Sequence, residues 1–395
     1  MTWPVTWNVT SRFCRMSMRG SITSHRKQTD AWRLRVYLGK DPATGKERYR
    51  SKVFHGGKKD ADDLLNEMIS EVKTKENLSS KMTLEQLLTE WLRFCRNKGL
   101  AVKTISDYEW RSRRHIIPEL GSTPINDLSA KHLDDYYGAL RAKDYSSSTI
   151  RHTHAIMRQA LGQAVKWGWL NRNVALLATV SAPMPILGIA PRLEQLKAII
   201  AEMSSSNPQF AAMIALAALT GARRGELLAL HWSDVDIENS VLWIRGSLVY
   251  TKDSGVVLGP TKTKRARKVP LDQVARVVIQ RQMQELEAAC AKLEIAHVDN
   301  PWLFFGEIDG SKSLFPDSVS SAFRRVTKRL GIEDLHFHSL RHFTATQLIA
   351  AGVDIRTVSG RLGHSDPSVT LRVYSHVLED NDRAASDIMG RLLSP

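Results

Sequence analysis

Cysteine is scarce: three residues in 395, Cys14, Cys95 and Cys290, far apart and odd in number. That spacing excludes a disulfide framework and any paired-thiolate zinc site, and a reducing interior is the expected compartment. Long apolar runs are missing as well. The most apolar stretch, 210–219, has the length of a buried helix and falls short of the roughly 18 residues that a membrane span needs. The first residues carry Arg12, Arg15 and Arg19 but no continuous apolar core before a small-residue cleavage site, so no secretory signal is expected. Acid is in deficit too, with 41 Asp and Glu against 56 Lys and Arg and a formal net charge of +15. Such a chain is drawn to polyanions, although composition alone leaves nucleic-acid binding and ordinary solvated charge equally open.

The length gives room for two or three domains, and the patterning divides it as a multidomain α+β chain. Residues 1–21 read as a ragged lead-in. In 22–76, Trp32, Leu34 and Val36 alternate with Arg33, Arg35 and Tyr37, the period of a strand. The turn DPATG (41–45) leads into a return strand, and Ala61, Leu64, Leu65 and Met68 then follow at helical spacing. A small sheet with one helix is expected there, and Arg33, Arg35, Arg48 and Arg50 make it a candidate to enter a DNA groove. A polar linker is expected at 77–81. Residues 82–175 read as a helical bundle that begins with a Thr83/Gln86 capping box. Its second helix, from about Thr104, carries Ile105, Tyr108 and Trp110, and Arg111, Arg114 and Arg151 on the polar faces of the bundle suit a duplex backbone.

The Pro- and Gly-rich, nearly uncharged stretch VSAPMPILGIAP (180–191) marks the clearest boundary. It is expected to be an extended connector, with Ile186, Leu187 and Ile189 able to dock on a neighbour. Beyond it, 190–395 reads as a mainly helical domain with a small antiparallel sheet. Short strands are expected at 235–237, 241–244, 248–250 and 268–271. A helix over 271–292 would present Val274, Val277, Val278, Met283 and Leu286 to the core.

The chemistry concentrates in two segments of this last region, TGARRGEL (220–227) and HSLRHFTATQLIAAGVDIRTVSGRLGHSDPSVTLRVY (338–374). Together with Lys262, expected in a hairpin within TKTKRARK, they offer two arginines, a lysine, histidines and Tyr374. That set fits attack by a phenol on a phosphodiester, with guanidinium forks on the phosphoryl oxygens. Gly221 frees the backbone before Arg223, while Arg224 must point elsewhere if both are helical. Glu226 is placed to hold an arginine or to cap a backbone amide. His338 and Arg341 share a face at a helix start, where the positive end of the helix favours a phosphate. His342 suits either a core role or the site, and His364 sits on a turn after Gly363. Residue type alone does not separate Lys262 from Lys264. Clustered carboxylates for a two-metal route are not in evidence near these motifs, and no metal or cofactor is expected.

TGARRGEL, HSLRHFTAT (338–346) and LGHSDPSVTLRVYSHV (362–377) resemble, in order and separation, the three signature stretches of the tyrosine recombinases, the phage-integrase family. The resemblance takes in 190–395 and the bundle at 82–175. The sheet and helix at 22–76 are more loosely similar to the arm-type DNA-binding domain of the larger integrases. It implies that Arg223 and Arg341 are the two phosphate-clamping arginines, that His338 and His364 are the family's two site histidines, with His338 a candidate to handle a proton, that Lys262 protonates the leaving 5′ oxygen, and that Glu226 supports the first arginine. Tyr374 would be the nucleophile, forming a 3′-phosphotyrosyl bond without metal or nucleotide. Such enzymes act on double-stranded DNA as a homo-tetramer through a four-way junction, with DNA-bending and excision proteins as possible accessories, in the cytoplasm of a bacterial host. The apolar tail from Ser375 to Leu393 is expected to pack on its own or a neighbouring protomer. A site-specific integrase or excision enzyme is the leading expectation. A type IB topoisomerase, a transposase, a chromosome-dimer resolvase and a catalytically silent DNA-binding or architectural protein remain alternatives.

Overall fold

Alternation in AWRLRVYL produces the expected strand. The structure, a computed structural model, describes residues 20–24, 31–40, 47–180, 189–364, 386 and 389–393. Strands β1 (Gly20–Ser24), β2 (Ala31–Lys40) and β3 (Glu47–His55) form an antiparallel sheet in that order. Leu34 and Val36 are buried beneath Ala61, Leu65 and Met68 of α1 (Lys58–Lys81). Arg33 and Arg35 are exposed on the opposite face. The segment expected as a linker at 77–81 is instead the last turn of α1, because ENLSSK contains neither Pro nor Gly to stop a helix. Likewise β1 opens inside the expected lead-in, of which residues 1–19 lie outside the described residues.

The chain divides into two compact units, 1–183 and 184–395. The division falls within the Pro- and Gly-rich stretch, whose residues 181–188, with Ile186 and Leu187, lie outside those described. In the first unit, Thr83 and Gln86 cap α2 (Leu84–Asn97) reciprocally. Leu84, Leu87, Leu88, Trp91 and Cys95 of α2 face a core of their own. Helix α3 (Val102–Arg111) runs through a π-turn at Ser112–Ile116 into α4 (Ile117–Leu120). α5 (Ala130–Ala142) and α6 (Ser147–Trp167) complete the bundle, with Ser129 and Ser146 as side-chain N-caps. Trp110 is 53% exposed. The preceding stripe turns inward at Tyr108, which stacks on Trp91 at 5.1 Å, and residues 110 and 108 cannot share one helix face.

In the second unit, α7 (Leu193–Ser206) packs on α8 (Pro208–Thr220), a helix apolar nearly all round that occupies the centre of the core. The short α9 (Arg224–Leu228) follows. Strands β4 (Val235–Asp236) and β5 (Val241–Ile244) form one sheet with β8 (Arg267–Pro270), whereas β6 (Gly246–Thr251) and β7 (Gly255–Pro260) form a separate hairpin. Strand β7 has no counterpart in the sequence expectations, since glycines bracket its short Val-Val-Leu core. On helix α10 (Gln273–Lys292), Leu286 is buried and Met283 packs against the core as expected, whereas Val274 and Val277 are exposed and Ala275, Ile279, Gln282 and Cys290 are buried instead. The spacing of 275, 279, 282 and 286 makes an equally good stripe, and packing selects it over the valines.

Helices α11 (Pro316–Arg329), α12 (Ser339–Ala350) and α13 (Ile355–Leu362) complete the unit. Toward the end of the sequence, residues 386 and 389–393 are helical, with Met389, Leu392 and Leu393 exposed; Val377, Leu378 and Ile388 of the apolar tail lie outside the described residues. Among those described, no helix is long and apolar enough to cross a membrane.

Candidate active site

Helix α8 ends in a left-handed turn at Gly221 (φ 66°), and Thr220 closes it by donating to Leu216 O at 2.6 Å and accepting from Ala222 N at 3.2 Å. A Cβ on Gly221 would lie 2.4 Å from Leu362 Cδ2, so glycine lets α8 and the end of α13 approach closely. The turn leaves Arg223 extended, as the N-cap of α9. Glu226 fills both roles open to it: it accepts from the Arg223 amide at 2.9 Å and from Arg223 Nη1 at 2.8 Å. Arg224 points away, toward Ser320 and Asp317 of α11.

Arg341 reaches the same place from α12. It is 3% exposed, and its Nη1 donates to Gly221 O at 2.8 Å and to Leu362 O at 2.6 Å. One guanidinium nitrogen thus joins the C-terminal turns of α8 and α13. Immediately after, Gly363 (φ 69°) turns the chain into His364, and Gly363 O accepts from Arg223 Nη2 at 3.3 Å. His338 is the N-cap of α12, and its ring meets that of His342 edge-on at 5.0 Å.

The electrostatics are one-sided. Desolvation first, then the charges of His342, Arg341, Arg223 and Lys262, bring the His338 pKa down to about 4. His338 nevertheless keeps a solvent-exposed edge, so water screens part of that effect. His364 is likewise lowered to about 4 by burial, then by Arg341, Arg223, His338 and Arg267. Both imidazoles are therefore neutral at pH 7, leaving one nitrogen each able to accept a proton. Burial alone would raise the Glu226 carboxyl, but hydrogen bonds and charge from Arg267, followed by Arg223, hold it below the usual carboxylate range. His342 is also lowered, by burial and then by Arg341.

Arg223, Arg341, His338 and His364 are brought together, with Glu226 beneath and Lys262 near His338. Lys262 is exposed, but it does not lie in a hairpin as expected. It occupies a tight turn between β7 and β8, which belong to different sheets; Thr261 closes that turn by donating to Arg265 O at 2.8 Å. Tyr374 lies outside the described residues, as does the side chain of Arg48.

The remaining arginines belong to the first unit. Arg35 sits over the Tyr49 ring at 4.1 Å on the open sheet face. Pairing of Arg50 with Val36 puts Arg50 on the other face, so the basic residues of the sheet do not share one surface. Arg114 is exposed on the π-turn, and Arg111 and Arg151 are half-buried on α3 and α6.

Two arginines escaped sequence reasoning. Arg361 donates to Leu219 O at 2.9 Å, fastening α13 to the end of α8. Arg267 reaches Glu226 through both terminal nitrogens, at 3.1 and 2.6 Å. A signal for Arg267 did exist: it lies two residues before the buried Val269, the inward parity of a strand.

A chain with these elements matches known proteins over most of its length. The family model described as "Phage integrase family" matches residues 192–381, and "Phage integrase, N-terminal SAM-like domain" matches 83–141. A tyrosine recombinase XerC-like protein of Caldanaerobacter subterraneus subsp. tengcongensis is 24% identical, over 91% of this chain and 96% of its own length. The ICEBs1 integrase of Bacillus subtilis is 24% identical over 92% and 97%. Among solved structures, the integrase of the Tn1549 transposon in complex with a circular intermediate DNA aligns with a TM-score of 0.65 at 20% identity, covering 78% of this chain and 99% of that one. A lambda integrase tetramer bound to a Holliday junction aligns with a TM-score of 0.56 at 18% identity, covering 85% and 92%.

Proposed function

Since the chain belongs to the phage integrase family of tyrosine recombinases, we propose that it is a site-specific integrase or excision enzyme that cuts and rejoins DNA through Tyr374. The observation that carries this reading is the meeting of Arg223, Arg341, His338 and His364 at the joined ends of α8, α12 and α13. Two guanidinium groups beside two neutral imidazoles suit a phosphodiester: the cations offset charge on the non-bridging oxygens, and the imidazoles accept or donate hydrogen bonds without competing charge.

In the proposed reaction, the Tyr374 oxygen attacks phosphorus and gives up its proton to a neutral histidine, for which His338 is the candidate. The bond from phosphorus to the 5′ oxygen breaks, and Lys262 supplies the proton to that oxygen. A 3′-phosphotyrosyl bond and a free 5′ hydroxyl result. The hydroxyl of a partner strand then reverses the steps. The number of phosphoester bonds is conserved, so no nucleotide is consumed.

The bundle at 82–175 is assigned to core-type sites, with Arg111, Arg114 and Arg151 toward the backbone. The sheet and helix at 22–76 are assigned to arm-type sites through Arg33 and Arg35. Assembly as four protomers on a four-way junction, with DNA-bending and excision proteins as accessories in a bacterial cytoplasm, completes the reading.

The test uses a pool of nicked duplexes of randomised sequence. Wild-type protein should capture its own site as a covalent adduct resistant to denaturant, and the attached peptide should contain Tyr374. Tyr374→Phe should bind the captured duplex and form no adduct. An adduct with that variant, or its attachment to a different residue, defeats the assignment.

A further inference from the structure

We infer that Arg267 is a positioning residue that balances the charge of Glu226 and so leaves the charge of Arg223 available to a phosphate; the inference rests on the function proposed above. A carboxylate offers about four acceptor positions, and those of Glu226 meet four donors. Oε1 accepts from Arg223 Nη1 at 2.8 Å and from Arg267 Nη1 at 3.1 Å. Oε2 accepts from the Arg223 amide at 2.9 Å and from Arg267 Nη2 at 2.6 Å. The Glu226 side chain is 0% exposed and that of Arg267 10%, so little water screens the group.

The charge count gives the reason. Arg223 and Glu226 alone make a neutral pair, and a neutral pair attracts a phosphodiester weakly. Adding Arg267 leaves a surplus of one positive charge on the three residues. Arg223 is the member at the opening: its side chain is 21% exposed, against 10% for Arg267. The surplus is thus presented where the phosphate would lie, and a buried carboxylate can orient Arg223 without cancelling its charge. Arg267 also ties down the opposite wall. Its Nε donates to Arg361 O at 3.0 Å, and a Cβ on Gly363 would come within 2.8 Å of its Nη1. The guanidinium therefore touches the turn that carries His364 and lies on the strand following the Lys262 turn.

The experiment uses the full chain on the duplex captured by the wild-type protein, comparing Arg267→Met, Arg267→Lys and the double variant Glu226→Gln with Arg267→Met. Arg267→Met should slow single-turnover cleavage about a hundredfold, the loss typical for one charge-stabilising donor. Its affinity for the same duplex should change less than about threefold, since most DNA affinity comes from many other phosphate contacts. Arg267→Lys should regain most of the rate. Adding Glu226→Gln should restore about tenfold over Arg267→Met, because removing the carboxylate charge again frees Arg223. Wild-type cleavage by Arg267→Met would overturn the inference, as would a double variant no faster than the single one, which would make Arg267 a structural tie. Failure of the wild-type protein to capture any duplex would instead defeat the proposed function.

Discussion

Glu226 shows how a single buried carboxylate organises a cationic site. With both oxygens occupied by two arginines and an amide, it is worth more as a fixed template than as an ion pair. The two histidines give the neighbourhood its pH dependence. Each is lowered to about 4 in the folded chain, against an ordinary value of about 6.5 in the unfolded one. Between those values the unfolded chain binds more protons, so stability is complete above about pH 6.5 and is lost progressively toward pH 4. Urea midpoints of the DNA-free protein should therefore fall between pH 7 and pH 5. The fall should be smaller in the double variant His338→Gln, His364→Asn, and an identical fall would place the titration elsewhere. Arg341→Lys should lose cleavage despite keeping its charge, because a guanidinium can hold Gly221 O and Leu362 O through one nitrogen and turn a second toward a phosphate, whereas an ammonium has a single nitrogen for both tasks. Wild-type single-turnover rates in that variant would remove Arg341 from the site.

Helix ends, more than helix bodies, make up this site. The C-terminus of α8, the N-terminus of α12 and the C-terminus of α13 supply Gly221, His338 and Gly363 respectively. Each end leaves main-chain groups that the helix cannot satisfy itself, and Arg341 and Arg361 satisfy several of them. Gly221→Ala would force a side chain into the left-handed region and against Leu362. A loss of about 1–3 kcal/mol is expected, read from urea unfolding, together with slower cleavage. An unchanged midpoint would show that α13 yields to the extra methyl.

Across the whole chain, chemistry and sequence reading are assigned to different units. The second holds the arginines and histidines of the site, and the first holds a sheet and a bundle with separate cores. Replacing Arg33 and Arg35 by Ala should weaken binding to distal sites, with each lost phosphate contact reducing the salt slope by about one. Cleavage of the captured core duplex should be untouched. Equal losses at both kinds of site would contradict the assignment of 22–76 to arm-type DNA.

Local pattern in the chain was enough for the strand at 31–40, the Thr83/Gln86 cap, the central apolar helix at 208–220 and the residue types suited to phosphate chemistry. These depend on neighbours within a few positions, where side-chain period and capping act directly. Other features depended on contacts that no short window contains. Which face of α10 is buried was decided by packing against α8, and Trp110 was left exposed when Tyr108 took the inward position. The turn bearing Lys262 joined two sheets because β7 paired with β6 and β8 with β5. Arg341 meets a carbonyl 120 positions away, and Arg267 meets Glu226 across 41. A run such as TKTKRARK states that cations are plentiful, and only the folded chain selects which of them is turned inward, because a buried charge is tolerated only where acceptors such as the Glu226 carboxylate already wait.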